Sequence, residues 1–144
     1  MGRMIACGLL GLAVAGCAGS SGGESKPPRD RLGVYEAVFR YELRKRPRDV
    51  SAYLSVDGRD APAELLRRLR RDWPNLKPAS EEPKEKGLQL YVKDLKWLGG
   101  DTAELRAGYW FPTKFAGQGY FADHRVVWKD GQWVVEGVTN ETMS

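Results

Sequence analysis

The sequence predicts an α+β domain in which N-terminal helices pack on a curved antiparallel β-sheet. In residues 32–46 and 60–73 the apolar side chains recur every three or four positions, which is typical of amphipathic helices. From Leu88 onward they alternate with polar side chains, which is typical of strands with one buried face. Because the strands follow the helices along the chain, we expect the helices to cover one face of the sheet.

The first helix is expected over Leu32–Arg46. It ends before Pro47, because a proline disfavours the helical conformation of the residue that precedes it. Its apolar face consists of Leu32, Tyr35, Phe39 and Leu43. Opposite charges four positions apart, which stabilise a helix, occur at Glu36–Arg40 and Glu42–Arg46.

A short strand and a second helix come next. Ala52–Val56 has the composition of a strand and is closed by a turn at Asp57-Gly58. Asp60 can cap the second helix, and Pro62 fits its first turn. The apolar stripe of this helix consists of Leu65, Leu66, Leu69 and Trp73. The charged, proline-containing segment 75–87 is expected to be a surface loop.

The rest of the chain predicts four antiparallel strands. In the first of them the apolar positions change from even to odd numbers, so we expect a bulge near Lys93-Asp94 that bends the sheet. A three-residue turn at 99–101 would then align the apolar faces of two strands. The resulting pairs are Leu95 with Leu105 and Trp97 with Ala103.

Asp130-Gly131 is the strongest hairpin signal of the chain. A two-residue type I′ turn requires positive φ at both positions, and Asp-Gly is one of the pairs that suit it. This turn sets the register of the last two strands. The predicted pairs are Trp128–Trp133, Val126–Val135, Arg125–Glu136 and His124–Gly137. One face of the hairpin is therefore expected to be apolar, and the other to carry an ion pair.

The first seventeen residues resemble a bacterial lipoprotein signal. Arg3 supplies a positive charge, Met4–Ala13 is a short apolar run, and Val14-Ala15-Gly16-Cys17 has the pattern of a lipobox. The run is shorter than the roughly 20 residues that a membrane-spanning helix needs. The resemblance implies cleavage before Cys17 and lipidation of Cys17, so that the attached lipid anchors the protein to the membrane. An ordinary secretory signal with an incidental cysteine is the alternative.

This division leaves one folded domain. We expect a signal peptide over 1–16, a flexible tether over 17–29 and a single α+β domain over 30–144. Loss of the signal lowers the formal net charge from +4 to +3. The resemblance implies a location in the bacterial cell envelope. Ala18 follows the cysteine where an Asp would retain a lipoprotein in the inner membrane, so in a Gram-negative organism this location would be the outer membrane, with the domain facing the periplasm.

The order of the predicted elements looks like that of the NTF2-like and cystatin-like folds. A helix, a short strand, a second helix and a curved meander ending in the Lys129–Val135 hairpin carry this likeness. NTF2-like domains enclose a conical pocket between the helices and the bent sheet; some are enzymes, and many only bind or scaffold. The resemblance therefore implies a place for a pocket and no particular activity.

His124, the one histidine of the chain, is the only candidate for acid–base chemistry near neutral pH. It is expected on the core side of its strand with Tyr120 and Tyr109, which together form a candidate pocket. Asp123 points to the opposite face, so we expect a buried histidine satisfied by a backbone carbonyl and assign no catalytic residue. Without a second histidine, the sequence predicts neither a metal site nor a cofactor.

Arginines are concentrated on the two helices. The first helix ends with Arg40, Arg44, Lys45, Arg46 and Arg48, and the second carries Arg67, Arg68, Arg70 and Arg71. If the helices lie side by side, a cationic surface forms that suits anionic lipid headgroups or acidic envelope polymers. Its candidate members are Arg40, Arg44, Arg67 and Arg71. A solvated helix face is the alternative, and the export signal disfavours nucleic acid as a partner.

Three functions stay open. The leading one is a non-enzymatic envelope lipoprotein whose domain binds a partner or a ligand; the others are a purely structural surface lipoprotein and an NTF2-like enzyme that uses His124. A carboxylate from another strand hydrogen-bonded to His124 would favour the enzyme. A pocket filled by Trp97, Trp128 and Trp133 would favour the structural protein.

Overall fold

The computed structural model describes residues 29–83, 87–112 and 117–144. In these ranges, two α-helices pack on one seven-stranded sheet. The helices are α1 (Arg31–Leu43) and α2 (Ala63–Leu69). The strands are β1 (Ala52–Val56), β2 (Arg59–Asp60), β3 (Leu76–Pro78), β4 (Leu88–Trp97), β5 (Thr102–Pro112), β6 (Gly117–Lys129) and β7 (Gln132–Met143). The α+β class expected from the sequence is therefore confirmed.

The sheet has the strand order β2-β1-β4-β5-β6-β7, with β3 paired to β1 beside β2. The last four strands form an antiparallel meander, as predicted. β1 is parallel to both β3 and β4, because α2 and the segment after it return the chain to the end of the sheet where β1 began. The sheet is therefore mixed at one side and purely antiparallel at the other.

Helix α1 ends at Leu43, three residues before the predicted end. The amides of Lys45 and Arg46 donate hydrogen bonds to carbonyls three residues back, so the last turn tightens before Pro47. The apolar face is buried as predicted, and Val34, Val38 and Leu43 have no exposed surface. Of the two predicted charge pairs, Glu36–Arg40 forms at 3.1 Å, whereas Glu42 turns into the core.

The strand Ala52–Val56 and the turn at Asp57-Gly58 are confirmed. Asp60 as the cap of the second helix was wrong. It lies in β2, and its carboxylate accepts hydrogen bonds at 2.7 Å from the amide and the hydroxyl of Ser80. Helix α2 begins at Ala63 after Pro62, and Leu65, Leu66 and Leu69 are buried as predicted.

The expectation of a surface loop over 75–87 was wrong for its first part. Leu76–Pro78 is a strand that pairs in parallel with β1, and Leu76 is buried. A three-residue parallel pairing depends on a distant partner and leaves no alternation that the local sequence could show. Residues 84–86 of the predicted loop lie outside the described chain.

The predicted bulge in β4 is confirmed. The register passes from Lys93 opposite Arg106 to Lys96 opposite Glu104, so that Asp94 and Leu95 together face Leu105. Asp94 has a φ of 59°, in the left-handed region where aspartate is tolerated. The predicted pair of Trp97 and Ala103 also forms.

The β6–β7 hairpin turns at Asp130 and Gly131, with φ values of 53° and 77°, as a type I′ turn requires. The pairs Trp128–Trp133 and Val126–Val135 are confirmed. Further from the turn the predicted register was wrong: Arg125 lies opposite Gly137, and His124 lies opposite Val138. β7 has one extra residue there, Glu136, whose carboxylate still pairs with Arg125 at 3.3 Å.

The core lies between the helices and one face of the sheet. α1 contacts β4, β5, β6 and β7, and α2 packs against α1 and β3. In β5 the core-side residues Ala103, Leu105 and Ala107 are buried, whereas the alternate residues Glu104 and Arg106 are partly exposed. In the described chain, neither α-helix combines the length and the apolar character that a membrane crossing requires.

Candidate functional site

His124 forms a buried pair with Glu42, which α1 contributes. The histidine has no exposed surface, and its Nε2 lies 2.8 Å from Oε1 of Glu42. Its Nδ1 lies 3.1 Å from the carbonyl oxygen of Ala122, and the edge of its ring meets the ring of Tyr41. The predicted backbone carbonyl is therefore present. The sequence offered only Asp123, on the opposite face, as an acidic neighbour of His124, whereas the carboxylate beside the histidine comes from the helix.

The charge of Glu42 follows from its partners. Burial acts to raise the pKa of Glu42, but the hydrogen bond from His124 and the charge of Lys45 outweigh it, so the pKa of Glu42 is lowered. The carboxylate therefore lies inside the core between the ring of His124 and Lys45, which reaches it from solvent at 3.2 Å.

This geometry leaves His124 no position for a substrate. A general acid or base must reach the reacting atom directly or through one water. Here both nitrogens are occupied, and the side chain is closed to solvent. The pair can hold α1 against β6, and it offers no accessible proton donor or acceptor.

The three residues of the candidate pocket have separate environments. Tyr109 and Tyr120 stack with ring centroids 5.5 Å apart, and the hydroxyl of Tyr120 donates to Glu141 at 2.9 Å. Burial is the main cause that raises the pKa of Tyr120. Tyr109 borders an open groove of about 400 Å³. Neither Tyr120 nor His124, which is closed to solvent, lines that groove.

Two of the four candidate cationic residues are held in ion pairs. Arg40 bonds Asp72 at 2.6 Å and Glu36 at 3.1 Å. Arg67 forms a two-point contact with Glu64 at 2.7 and 2.6 Å, and its hydrogen bond is the main cause that lowers the pKa of Glu64 to about 2. Arg44 and Arg71 are exposed. The helices do lie side by side, but much of the charge between them is neutralised.

Arg40 and Arg44 meet further cations at the end of α1. A cavity of about 300 Å³ lies between this end, the following loop and the end of α2. We term it the arginine cavity; it is lined by Arg40, Arg44, Arg46, Arg48, Asp72 and Trp73. Within the described part of the chain, none of Arg44, Arg46 and Arg48 forms an ion pair. Asp72 is the one carboxylate in the lining, and the hydrogen bond from Arg40 lowers its pKa.

Two buried donors of this cavity lack acceptors. Nε1 of Trp73 and Nε of Arg46 have no hydrogen-bond partner among the described residues. Trp73 is only 6% exposed, and its ring lies beneath the guanidinium of Arg40 at 5.7 Å. An unsatisfied buried donor costs about 1–3 kcal/mol. Both donors are closed to solvent, so the donors that an anion in the arginine cavity would meet are the exposed guanidinium groups of Arg44 and Arg48.

The run of arginines after α1 was visible in the sequence, but Trp73 and Asp72 as its neighbours were not. Trp73 was assigned to the apolar stripe of the second helix; it is buried as expected, but the helix ends at Leu69, so its place within the helix was wrong. Its place beside the arginines depends on how α2 packs against α1. Only the packing of the two helices, and no local pattern, brings these residues together.

Other parts of the molecule bear on the remaining expectations. Cys17 lies outside the described residues. Trp133 packs against both Trp97 and Trp128, with ring centroids 5.6 and 5.4 Å away. Over the described ranges, no three His, Cys, Asp or Glu side chains gather where they could hold a metal ion.

Comparisons with protein-family models, with curated proteins and with solved structures yield no match to this chain.

Proposed function

We propose that this protein is a lipid-anchored component of a bacterial cell envelope whose domain binds an anionic group without catalysing a reaction. The observation that carries the binding function is the arginine cavity. Four arginines and one carboxylate line it, so its charge is positive. Guanidinium groups present planar donors that match phosphate and carboxylate oxygens.

The lipobox pattern at Cys17 supports the anchored location. A tether over residues 17–29, which the Ser- and Gly-rich composition predicts, would keep the domain near the bilayer. A domain held this close to a bilayer meets anionic headgroups and envelope polymers at high local concentration. The partner class is therefore an anionic molecule of the envelope surface. By the same resemblance, the proposed location in a Gram-negative cell is the outer membrane, with the domain facing the periplasm.

An NTF2-like or cystatin-like fold is part of the proposal. The order of helix, strand, helix and bent antiparallel meander supports it. So does the position of α1 across the core side of the sheet. In this interpretation the arginine cavity opens beside the helices, at the end of α1.

Two other functions have one observation each in their favour. The side chains of Trp97, Trp128 and Trp133 pack together at the hairpin end of the sheet, which suits a purely structural lipoprotein. The hydrogen bond between Glu42 and His124 suits an enzyme, although the carboxylate comes from a helix and the pair is closed to solvent. Neither function accounts for unpartnered arginines around a buried indole donor.

Thermal unfolding in phosphate tests the proposed function. A ligand at ten times its Kd stabilises the folded state by about 1.4 kcal/mol, which is several degrees in Tm for a domain of this size. We expect this gain for the full chain in phosphate relative to chloride at equal ionic strength. Arg48→Glu should lose it, because the variant places a second acid beside Asp72.

Arg59→Glu is the matched control, since Arg59 is also exposed but lies in the β2 hairpin. The charge change is the same as in Arg48→Glu, and any non-specific stabilisation by phosphate should appear in this variant too. Equal gains in Tm for both variants would show that the arginine cavity does not bind phosphate. A gain in Arg59→Glu and none in Arg48→Glu is the predicted result.

A further inference from the structure

A second opening shares the side chain of Arg46 with the arginine cavity and has the opposite chemistry. We term it the apolar groove; its volume is about 400 Å³, and it is lined by Arg46, Val50, Leu88, Tyr109, Phe111 and Gln118. Four of these six side chains are aliphatic or aromatic. Phe111 is 44% exposed, a large apolar surface left open to water at the end of β5.

Arg46 belongs to the walls of both openings. Its guanidinium lies over the ring of Tyr109, 4.7 Å from the centroid. This stacking covers one face of the planar cation and leaves its terminal N–H groups for an anion. The donors that suit an anion and the surface that suits an alkyl chain therefore meet at one residue.

We propose that the two openings together bind an anionic amphiphile, a single alkyl chain with a phosphate or carboxylate head. The inference rests on the proposed anion binding and adds the class of ligand. The head lies in the arginine cavity near Arg44 and Arg48, and the chain passes Arg46 to lie on Val50, Tyr109 and Phe111. Each opening alone has the volume of a small-ligand site. A ligand with an anionic head and an alkyl chain would use both.

Charge and area decide between this ligand and simpler ones. An uncharged apolar molecule would leave Arg44, Arg46 and Arg48 without partners, and a bare anion would leave Phe111 and Val50 open to water. Each methylene removed from water on the apolar groove adds roughly fourfold to the affinity. Two buried methylenes are thus enough for more than a tenfold difference between an alkyl phosphate and inorganic phosphate.

Calorimetric titration with three probes tests the inference. The protein is the full chain carrying Cys17→Ser, so that no attached lipid competes. The probes are dodecyl phosphate, inorganic phosphate and dodecyl maltoside, each below the concentration at which it forms micelles. We expect dodecyl phosphate to bind at least tenfold more tightly than inorganic phosphate, and dodecyl maltoside to bind more weakly than dodecyl phosphate by a similar factor.

Two pairs of variants assign the parts of the ligand. Phe111→Asp should reduce the affinity for dodecyl phosphate at least tenfold and leave inorganic phosphate unchanged. Leu98→Asp also replaces an exposed apolar side chain by an acid, but at the other end of the sheet. It should change the affinity for neither phosphate. Arg48→Glu should weaken both phosphates, whereas Arg59→Glu should weaken neither.

The outcomes separate the inference from the proposed function. Equal affinities for dodecyl phosphate and inorganic phosphate, with no effect of Phe111→Asp, would overturn the amphiphile and leave anion binding intact. Binding of neither phosphate would overturn both. Equal affinities for dodecyl phosphate and dodecyl maltoside, with no effect of Arg48→Glu, would show a purely apolar site and overturn the anionic head.

Discussion

Glu42 and His124 stabilise each other because each removes the cost of burying the other. An unpaired charge in a protein core costs several kcal/mol, whereas a pair with good geometry and satisfied remaining atoms is tolerated. Here the second ring nitrogen bonds Ala122, and Lys45 reaches the carboxylate from solvent. The contact at 2.8 Å thus links α1 to β6 across the core.

Replacement of the histidine tests whether it is structural. His124→Gln keeps a polar side chain but cannot make both contacts, so we expect a loss of about 1–3 kcal/mol in the free energy of unfolding. Urea denaturation measures this loss. The gain in Tm from phosphate should remain, because His124 is closed to the arginine cavity. A variant of unchanged stability that no longer responds to phosphate would contradict the structural assignment.

The lowered pKa of Glu42 predicts a pH dependence with a definite sign. A carboxyl whose pKa is lower in the folded state than in the unfolded chain adds stability above its ordinary value of 4.5, and this contribution disappears as the pH falls through the folded pKa. Glu42→Gln removes the titrating group. Its stability should therefore fall less steeply than that of the parent as the solution is acidified from about pH 5.

The exposed carboxylate of Glu81 provides the control for this measurement. Glu81→Gln removes the same charge from the surface, so its stability should follow the parent over the whole acid range. Urea midpoints at a series of pH values give the three curves. Parallel curves for the parent and Glu42→Gln would show that the buried carboxylate does not contribute to acid unfolding.

At the scale of single residues, sequence reasoning predicted half of this pair. His124 was expected on the core side of β6, because alternation in a strand is a local property. Glu42 was assigned to a charge pair on the helix surface, and it is 82 positions away from His124 along the chain. Only the crossing of α1 over the sheet decides which residue of the helix faces the histidine.

Among the elements, the β6–β7 hairpin depends on the backbone conformation of its turn. Gly131 has a φ of 77°, and a Cβ placed there would meet no atom within 4 Å. Gly131→Val should therefore destabilise the domain only through its strained φ, by about 1–2 kcal/mol. Gly100→Val is the matched control, because Gly100 also lies in a hairpin turn with open space but without a left-handed φ. Equal denaturation midpoints for the two variants would show that the positive φ at position 131 does not destabilise the valine variant.

Elements with local signals were predictable, and elements that depend on distant pairing were not. The bulge at Asp94 is predicted by the change in the alternation of apolar residues, and the turn is predicted by the pair Asp130-Gly131. The strand Leu76–Pro78 is recognisable only through its parallel partner β1. The extra residue at Glu136 changes the register of the hairpin without any change in the apolar pattern near the turn.

For the whole molecule, anchoring at Cys17 separates an envelope protein from a secreted one. Cys17→Ser should move the protein from the membrane fraction to the soluble fraction or leave the precursor uncleaved. Cys7→Ser, which changes the other cysteine of the chain, should leave the protein in the membrane fraction. Fractionation with immunoblotting measures both. Membrane association of Cys17→Ser at the parental level would remove the basis for the proposed location.

The candidate binding site combines what the sequence predicts with what only the fold supplies. The arginines that follow α1 are adjacent in the chain, so their positive charge was predictable. The arginine cavity needs α2 to bring Asp72 and Trp73 beside them, and the apolar groove needs β4 and β5 to bring Leu88 and Tyr109. Both openings are therefore products of helix and strand packing around Arg46.

The indole N–H resonance of Trp73, which lines the arginine cavity, tests directly whether this cavity binds anions. Comparison with Trp73→Phe identifies this resonance among those of the five tryptophans. On addition of phosphate we expect it to shift in a saturable manner in the parent and in Arg59→Glu, and to stay in place in Arg48→Glu. A resonance that does not move in the parent, or that moves equally in Arg48→Glu, would contradict anion binding at this site.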